Sequence, residues 1–585
     1  MISIRRIGIA TLAVFAGSAA FAQPSQPPLG EAERTRWFQD AKFGVFIHWG
    51  VYSVIGRHEW ARHRFEIPQA EYDQVARSFN PVNFNADAWV DLAKNAGARY
   101  MVITSKHHDG FSIYRSKVSD YDMEITPYQG DPLKLLADAA RKKNMRLGFY
   151  HSIMDWHHPE YVPKREWEHP GQKPGGNIDR YIAFMQGQLR ELLTQYGDVA
   201  TIWFDGEWEH TPEEMHSDEV FDMIRQLQPN TLINDRIYKR APGNRADYGT
   251  PEQFVPATGM KDPSGKPILW ESCVTINTDS WGYNQYETDF KTPRDLIRML
   301  IEVVSKGGNL LLNVGPTPDG RIQEEFVTRL NAMGLWMKIN GDAIYGTTAS
   351  PFTRMPFFGR ATVKGNQLYL HVFQWPPAQG TRPGELRVPG LKNMVHSAKL
   401  LADSSVNLKT RRDGDDVIVT LPATAPDPVA SVVVLTLDGA PMVTPFSIRP
   451  DEKGAFWLGA ESAEIESNLG QRAKKENLLN HVFITRWSRA QDVPAWVIDV
   501  PRAGRYKVEM SYGSAGAGGT AFTLSSDDAS VSGKVERSTS SDLVFHNHEV
   551  GTLALKAGEQ TLKLKADLQG TAPMNLEGVK LTRIE

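Results

Sequence analysis

From residue 43 to about 340 the chain alternates short apolar, β-rich runs with longer stretches of helical period, and no other feature constrains its fold as strongly. A parallel strand pair needs a crossover long enough to hold a helix, so this alternation predicts a parallel sheet covered by helices. The strand candidates are Phe43 to Gly50, Tyr100 to Lys106, Arg146 to His151, Ala200 to Asp205, Leu232 to Arg236, Ile268 to Cys273 and Leu310 to Val314. Helical patterns between them cover Ala86 to Ala96, Leu133 to Lys143, Ile178 to Tyr196 and Asp295 to Ser305. The last carries its own end signals: Thr292 as N-cap, Pro293 at the first helical position, Asp295 completing a capping box and Gly307 beyond the end. Seven or so units predict a TIM-like (β/α) barrel, one short of eight, with a doubly wound open sheet as the competitor. The placement of unusual residues favours the barrel. His48, His107, His108, His151, Asp205, Arg236 and Glu271 all fall at or near the C-terminal ends of predicted strands, the ends that converge on one face of a barrel and build its active site.

Beyond about Gly346 the pattern changes to short alternating strands with turn signals and no helical period. Residues 347–440 predict an all-β sandwich, with Gln367 to Phe373, Ala398 to Leu401, Asp416 to Leu421 and Ala430 to Leu437 among its strands. Residues 441–585 predict a further β jelly-roll, a candidate carbohydrate-binding module if Trp457, Trp487 and Trp496 form an exposed platform, and a structural prop if they are core. At the other end, Arg5 and Arg6, the apolar run Ile7 to Ala20 and the A-x-A site Ala20-Phe21-Ala22 predict a signal peptide over 1–22, with the catalytic barrel spanning 23–346. The run is too short for the ~20 apolar residues of a spanning helix, and Pro24, Pro27 and Pro28 come directly after it. A secreted or periplasmic protein with no membrane attachment after cleavage is expected.

Charge removes one class of partner. Lys and Arg number 65 against 69 Asp and Glu, a net charge of -4, so there is no basic surplus to neutralise a phosphate backbone and nucleic acid is not expected. With Cys273 as the only cysteine, no intramolecular disulfide and no C-x-x-C metal site can form.

The chemistry concentrates in Trp203-Phe204-Asp205-Gly206-Glu207-Trp208. An Asp at the end of an apolar strand can simply cap the next helix. Flanked by two Trp, it also matches what a sugar site needs: carboxylates for nucleophile and acid/base, and aromatic faces against a pyranose ring. Ser105-Lys106-His107-His108-Asp109-Gly110 and His48-Trp49-Gly50 add histidines at two more strand ends. A metal site is the rival for these. However, His58-Glu59-Trp60-Ala61-Arg62-His63 has one residue too many for H-E-x-x-H, so neutral histidines donating hydrogen bonds to hydroxyls are favoured and neither metal nor cofactor is expected. Gly259 to Lys266 has five residues between its glycines and Pro267 behind the Lys, so a turn is expected there rather than a phosphate-binding loop.

Taken in order, Phe43 to Gly50, Lys106 to Phe111, Gly148 to Ser152, Trp203 to Trp208, Asn234-Asp235-Arg236 and Ser280-Trp281-Gly282-Tyr283 resemble the motifs of the α-L-fucosidases of glycoside hydrolase family 29. The match spans about residues 30 to 345 and, more loosely, the sandwich after them. The resemblance implies a retaining exo-α-L-fucosidase acting on terminal fucosyl linkages of an oligosaccharide or glycoconjugate, through a covalent fucosyl-enzyme on Asp205. It implies a fucose pocket of His48, Glu59, Trp60, His107, His108, Tyr150, Trp203, Arg236 and Trp281. Chemically, the C5 methyl of a 6-deoxy sugar wants an aromatic wall such as Trp281, ring hydroxyls want His and Glu, and Arg236 would keep Asp205 ionised. Two glutamates compete for the acid/base. Glu252 lies in the long loop after the Asn234 to Arg236 strand end, while Glu271 on the next strand could equally orient the site; the loop position favours Glu252. The alternatives are a non-catalytic fucose-binding protein on the same barrel and a metal-dependent hydrolase.

Overall fold

The computed structural model describes residues 27–584 except 169, 172–174, 378–382, 468–472, 479–480, 517, 537–539 and 569–572. The predicted signal segment 1–22 therefore lies outside the described residues. Among the described residues no helix is long and apolar enough to cross a membrane.

Seven parallel strands form the barrel: β1 (Phe43–Ile47), β2 (Tyr100–Lys106), β3 (Arg146–Ser152), β4 (Thr201–Asp205), β5 (Leu232–Ile233), β6 (Glu271–Thr275) and β7 (Asn309–Val314). They run in the spatial order β5-β4-β3-β2-β1-β7-β6. The longer helices around them include α1 (Glu31–Ala41), α2 (Ala86–Asn95), α3 (Pro132–Lys142), α4 (Ile178–Gln195), α5 (Ser217–Leu227), α6 (Pro293–Ser305) and α7 (Glu324–Asn340), with a further helix, Gln69–Ser78, in the β1–β2 connection. α6 begins with the capping box expected from the sequence, the Thr292 side chain and the Asp295 side chain each accepting from the other's backbone N–H. Close strand contact is secured where a side chain is missing: a Cβ on Gly44 would lie 2.5 Å from the Tyr100 ring, so only glycine lets β1 and β2 pack around that tyrosine.

The two edge strands of this sheet, β5 and β6, do not pair with each other. Residues 247–253 take the place of an eighth strand between them. Asn234 bridges Tyr248, Gly249 bridges Trp270 and Glu252 bridges Cys273, all in parallel. Asp247 N donates to Ile233 O and Asp235 N to Tyr248 O on one side; Glu271 N to Gly249 O and Gln253 N to Cys273 O close the other. Pro251 removes a donor from the middle of this stretch, which keeps it irregular. Glu252 lies in the loop after β5, where the sequence places it, and that part of the loop is this closing segment. β5 is shorter than expected: Asp235–Tyr238 turn into a 3₁₀ helix.

The next sandwich packs a four-stranded sheet (Val395–Leu400, Ser431–Leu437, Gln367–Val372, Gly359–Lys364) on a three-stranded one (Glu385–Val388, Asp416–Thr420, Thr410–Asp413). Leu368, Leu370, Leu386, Val419 and Leu435 fill its core. The C-terminal region adds a second pair of antiparallel sheets, of six and five strands. Of the two readings left open for the C-terminal tryptophans, the core reading holds for two of the three. Trp487 and Trp496 are fully buried and donate to Asp492 O and Gly459 O, and only Trp457, at 41% exposure, reaches solvent.

Candidate active site

The C-terminal ends of the barrel strands surround a pocket of about 90 Å³, lined by Phe46, His48, Trp60, His107, His108, Tyr150, Trp203, Asp205, Trp208, Arg236, Glu252 and Trp281. Asp205 ends β4, and Gly206 comes next in the left-handed region (φ 77°), where a Cβ would strike the Met154 backbone. The chain can therefore turn away at once and leave the carboxyl facing the pocket.

Arg236, buried on the 3₁₀ turn after β5, organises the acidic groups. Its Nη1 donates to Asp205 Oδ1, its Nη2 to Glu252 Oε2 at 2.7 Å, and its Nε to Thr250 Oγ1 at 3.2 Å, while the guanidinium lies 4.4 Å from the centre of the Trp203 ring. The Tyr150 hydroxyl donates to Asp205 Oδ2 at 2.8 Å. Burial by itself raises the Asp205 pKa, but the Arg236 charge and the Tyr150 hydrogen bond outweigh it and bring it down to about 2, leaving an ionised carboxylate at the pocket floor. The Glu252 side chain is 36% exposed at the mouth, and Gln253 immediately after it sits in the left-handed region (φ 61°), pinned by its N–H to Cys273 O.

The histidines are neutral, because burial lowers His48 to about 3 and His108 to about 4. Their hydrogen bonds fix the tautomers. Asn313 Nδ2 donates to Trp281 O, so its Oδ1 faces His48 Nδ1 at 2.7 Å and holds the proton there. Ser152 donates to Met154 O and accepts from His108 Nδ1 at 2.6 Å. Each ring therefore turns an unprotonated Nε2 toward the pocket, so these two accept from hydroxyls rather than donate to them, contrary to the expectation from sequence.

Of the residues singled out in the sequence, three fall behind the pocket: His151, fully buried on β3 with its Nδ1 3.0 Å from the Ser105 hydroxyl, and two glutamates. Glu271 is 1% exposed on β6, accepting from Trp203 Nε1 at 3.0 Å and from the Tyr100 hydroxyl. Burial lifts its pKa to about 7. It orients Trp203 and does not reach the cavity. Glu59 is also corrected from a pocket-lining to a supporting position: its Oε2 accepts from the backbone N–H of Trp281 (2.9 Å) and Gly282 (3.0 Å), and it is 1% exposed. It holds the segment that carries the Trp281 wall. Phe46 lines the pocket unforeseen, and Trp208, one of the two Trp that flank Asp205 in the sequence, joins it although the pocket set implied by the resemblance did not include it. Trp208, 44% exposed, stacks on Trp60 at 5.9 Å and 19°, and its place in the W-x-D-G-E-W run was the signal for it. Phe46 reads only as a strand residue, with nothing in the sequence to mark it.

Among the described residues no three His, Cys, Asp or Glu side chains converge to hold a metal ion. Asp262 to Lys266 forms the expected turn, with Asp262 Oδ1 accepting from Ser264 N and Lys266 N.

Residues 13–342 match the family model described as alpha-L-fucosidase. Human tissue alpha-L-fucosidase is 32% identical over 402 residues, 62% of this chain and 83% of that protein. Among solved structures, the alpha-L-fucosidase isoenzyme 1 of Paenibacillus thiaminolyticus is 39% identical, with a TM-score of 0.65 over 70% of this chain and 99% of that one. The enzyme of Vibrio sp. strain EJY3 is 26% identical with a TM-score of 0.72 and spans 94% of this chain and 98% of its own, so the likeness includes the C-terminal sheets. An alpha-L-fucosidase of Bacteroides thetaiotaomicron, solved as a trapped covalent intermediate with 2-fluoro-fucosyl fluoride, is 28% identical over 71% of this chain and 98% of that one, TM-score 0.62. With an ionised aspartate, a glutamate at the mouth and an aromatic, histidine-lined pocket at the barrel's C-terminal face, this chain belongs to the α-L-fucosidase family of glycoside hydrolases.

Proposed function

We propose that the protein is an exo-acting, retaining α-L-fucosidase that uses Asp205 as nucleophile and Glu252 as acid/base on terminal α-fucosyl linkages. The observation that carries this is the single guanidinium of Arg236 bound to both carboxylates. Groups sharing one guanidinium lie close together, and a separation of about 5 to 5.5 Å is the mark of a retaining pair, against about 6.5 to 9.5 Å for an inverting one.

In the first step an Asp205 carboxylate oxygen bonds to the anomeric carbon as the bond to the leaving oxygen breaks, and that oxygen takes the proton of Glu252. In the second, Glu252 takes a proton from water, the water oxygen bonds to the anomeric carbon, and the ester to Asp205 opens with its electron pair returning to the carboxylate. Arg236 holds Asp205 ionised for attack. His48 and His108 accept from ring hydroxyls, and Phe46, Trp203 and Trp281 offer apolar surface to the ring and its C5 methyl. The small closed floor supports removal of a single terminal sugar. The N-terminal segment supports export, which N-terminal sequencing of the mature protein from its native host tests by looking for a start at Gln23.

The chemistry is tested with 4-nitrophenyl α-L-fucoside. Asp205→Ala loses on the order of 10³-fold or more in kcat, and Glu252→Ala recovers turnover with azide while releasing α-fucosyl azide, because azide opens the β-linked fucosyl-enzyme with a second inversion. Wild-type rates in Asp205→Ala, or β-fucosyl azide as the rescue product of Glu252→Ala, would sink the assignment.

A further inference from the structure

A third carboxylate and a second arginine stand beside the catalytic pair and are used by none of the steps above. Glu207, two residues after Asp205, is 4% exposed. Its Oε1 accepts from Arg240 Nε at 3.1 Å, and its Oε2 is buried with no hydrogen-bond partner among the described residues. A buried, half-satisfied carboxylate is destabilising and needs a reason to be kept. The same guanidinium of Arg240 reaches the other way, with Nη2 3.9 Å from Glu252 Oε2. Arg240 is thus placed between Glu207 and Glu252 on a backbone built for that purpose: Lys239 and Arg240 are consecutive left-handed residues (φ 54° and 57°), a conformation L side chains rarely adopt. Lys239 N donates to Arg236 O and Arg240 N to Asp235 O, and the Lys239 ammonium ties the turn to Trp208 O and His210 O of the loop after Asp205.

We infer that Arg240 is a positioning residue which, tethered by Glu207, holds Glu252 at the pocket mouth and sets its proton affinity. This rests on Glu252 being the acid/base. The charged and titratable groups facing Glu252 are Arg236 and Arg240 from the turn after β5, Asp205 and Glu207 from the end of β4 through those arginines, and the Cys273 thiol on β6, which burial keeps neutral. The Arg240 charge stands 3.9 Å from Glu252, and the Glu207 carboxylate on its other side, at 3.1 Å, partly neutralises it. The arrangement lets one exposed side chain tune the acid without disturbing the Arg236 contact that Asp205 needs.

The basic limb of the kcat/KM pH profile reports the acid that must be protonated in the free enzyme. Arg240→Gln removes a positive charge beside Glu252, so this limb moves up by roughly 0.5 to 1 pH unit. Glu207→Gln removes the compensating negative charge, so the limb moves down. Arg240→Lys keeps the charge and restores the wild-type limb, which separates an electrostatic role from loosened packing. Thermal melts confirm that each variant is folded. An unmoved limb in Arg240→Gln or Glu207→Gln, or shifts in the same direction, overturns the inference. In parallel, Glu252→Ala with azide rescue separates the two readings: rescue together with unmoved limbs rejects Arg240 alone, whereas wild-type activity in Glu252→Ala rejects both.

Discussion

At the scale of single residues, the two buried glutamates behind the pocket show how position decides role. Glu271 and Glu59 have the chemistry of catalytic acids, and burial brings both to a pKa of about 7, yet each is taken up by protein donors. Glu271→Ala leaves the Trp203 and Tyr100 donors without an acceptor, an expected loss of about 1 to 3 kcal/mol per orphaned group. It should lower the melting temperature and raise KM as Trp203 loosens, with no azide rescue. Glu59 gives a pH prediction. Its folded-state pKa, about 7, lies above the unfolded value of 4.5, so the folded protein holds the proton more tightly. That contribution is full below about 4.5 and is lost as pH rises through about 7. Melts from pH 5 to pH 8 should show the wild type losing more stability than Glu59→Gln, whose amide oxygen still accepts from the Trp281 and Gly282 N–H groups; parallel curves would contradict this.

At the scale of elements, the local code was legible where it is carried by neighbours in sequence. The Thr292/Asp295 capping box of α6 was readable because both partners lie within one turn. Thr292→Ala should cost about 1 kcal/mol and leave kcat/KM unchanged, since that helix end lies outside the pocket. The closing segment 247–253 was not legible, because its backbone pairs with strands on both sides and Pro251 hides any strand pattern. Its bonds are isolated bridges rather than a ladder. Hydrogen exchange should therefore find the amides of Gly249, Glu271 and Cys273 less protected than those of β1 and β2, and equal protection would show this closure to be as rigid as the rest of the barrel.

At the scale of the whole molecule, α6 is the hinge-pin between the barrel and both sets of C-terminal sheets. Arg298 donates to Val429 O at 3.0 Å and Phe373 O at 2.8 Å in the first sandwich, and to Asn477 Oδ1 at 3.0 Å in the second. Arg294 pairs with Glu476, and Lys474 with Asp295, across the same boundary. Arg298→Ala should destabilise by about 2 to 4 kcal/mol, because three acceptors lose a charged donor at once, and should let the β regions melt before the barrel. Kinetics on 4-nitrophenyl α-L-fucoside should change less than about twofold. A single unchanged transition in calorimetry would show that the boundary is held by apolar contact instead.

The order of amino acids was enough to specify the parallel barrel, the β character of residues 347–585 and the nucleophile candidate Asp205, because strand and helix periods are local and an acid at the end of an apolar run stands out in one dimension. Packing in three dimensions settled which glutamate reaches the cavity, which tautomer His48 and His108 present, and which tryptophans are core. Glu271 opens β6 and is taken up by Trp203 and Tyr100, whereas Glu252 is carried on the closing segment to the pocket, a difference set by partners distant in the chain. The His48 proton is fixed by Asn313, 265 residues away. Of the C-terminal tryptophans, Trp457 lies on the exposed side of its strand, Trp496 on the buried side of a strand in the other sheet and Trp487, itself buried, in the stretch after Thr485, which is settled only when the sheets pack.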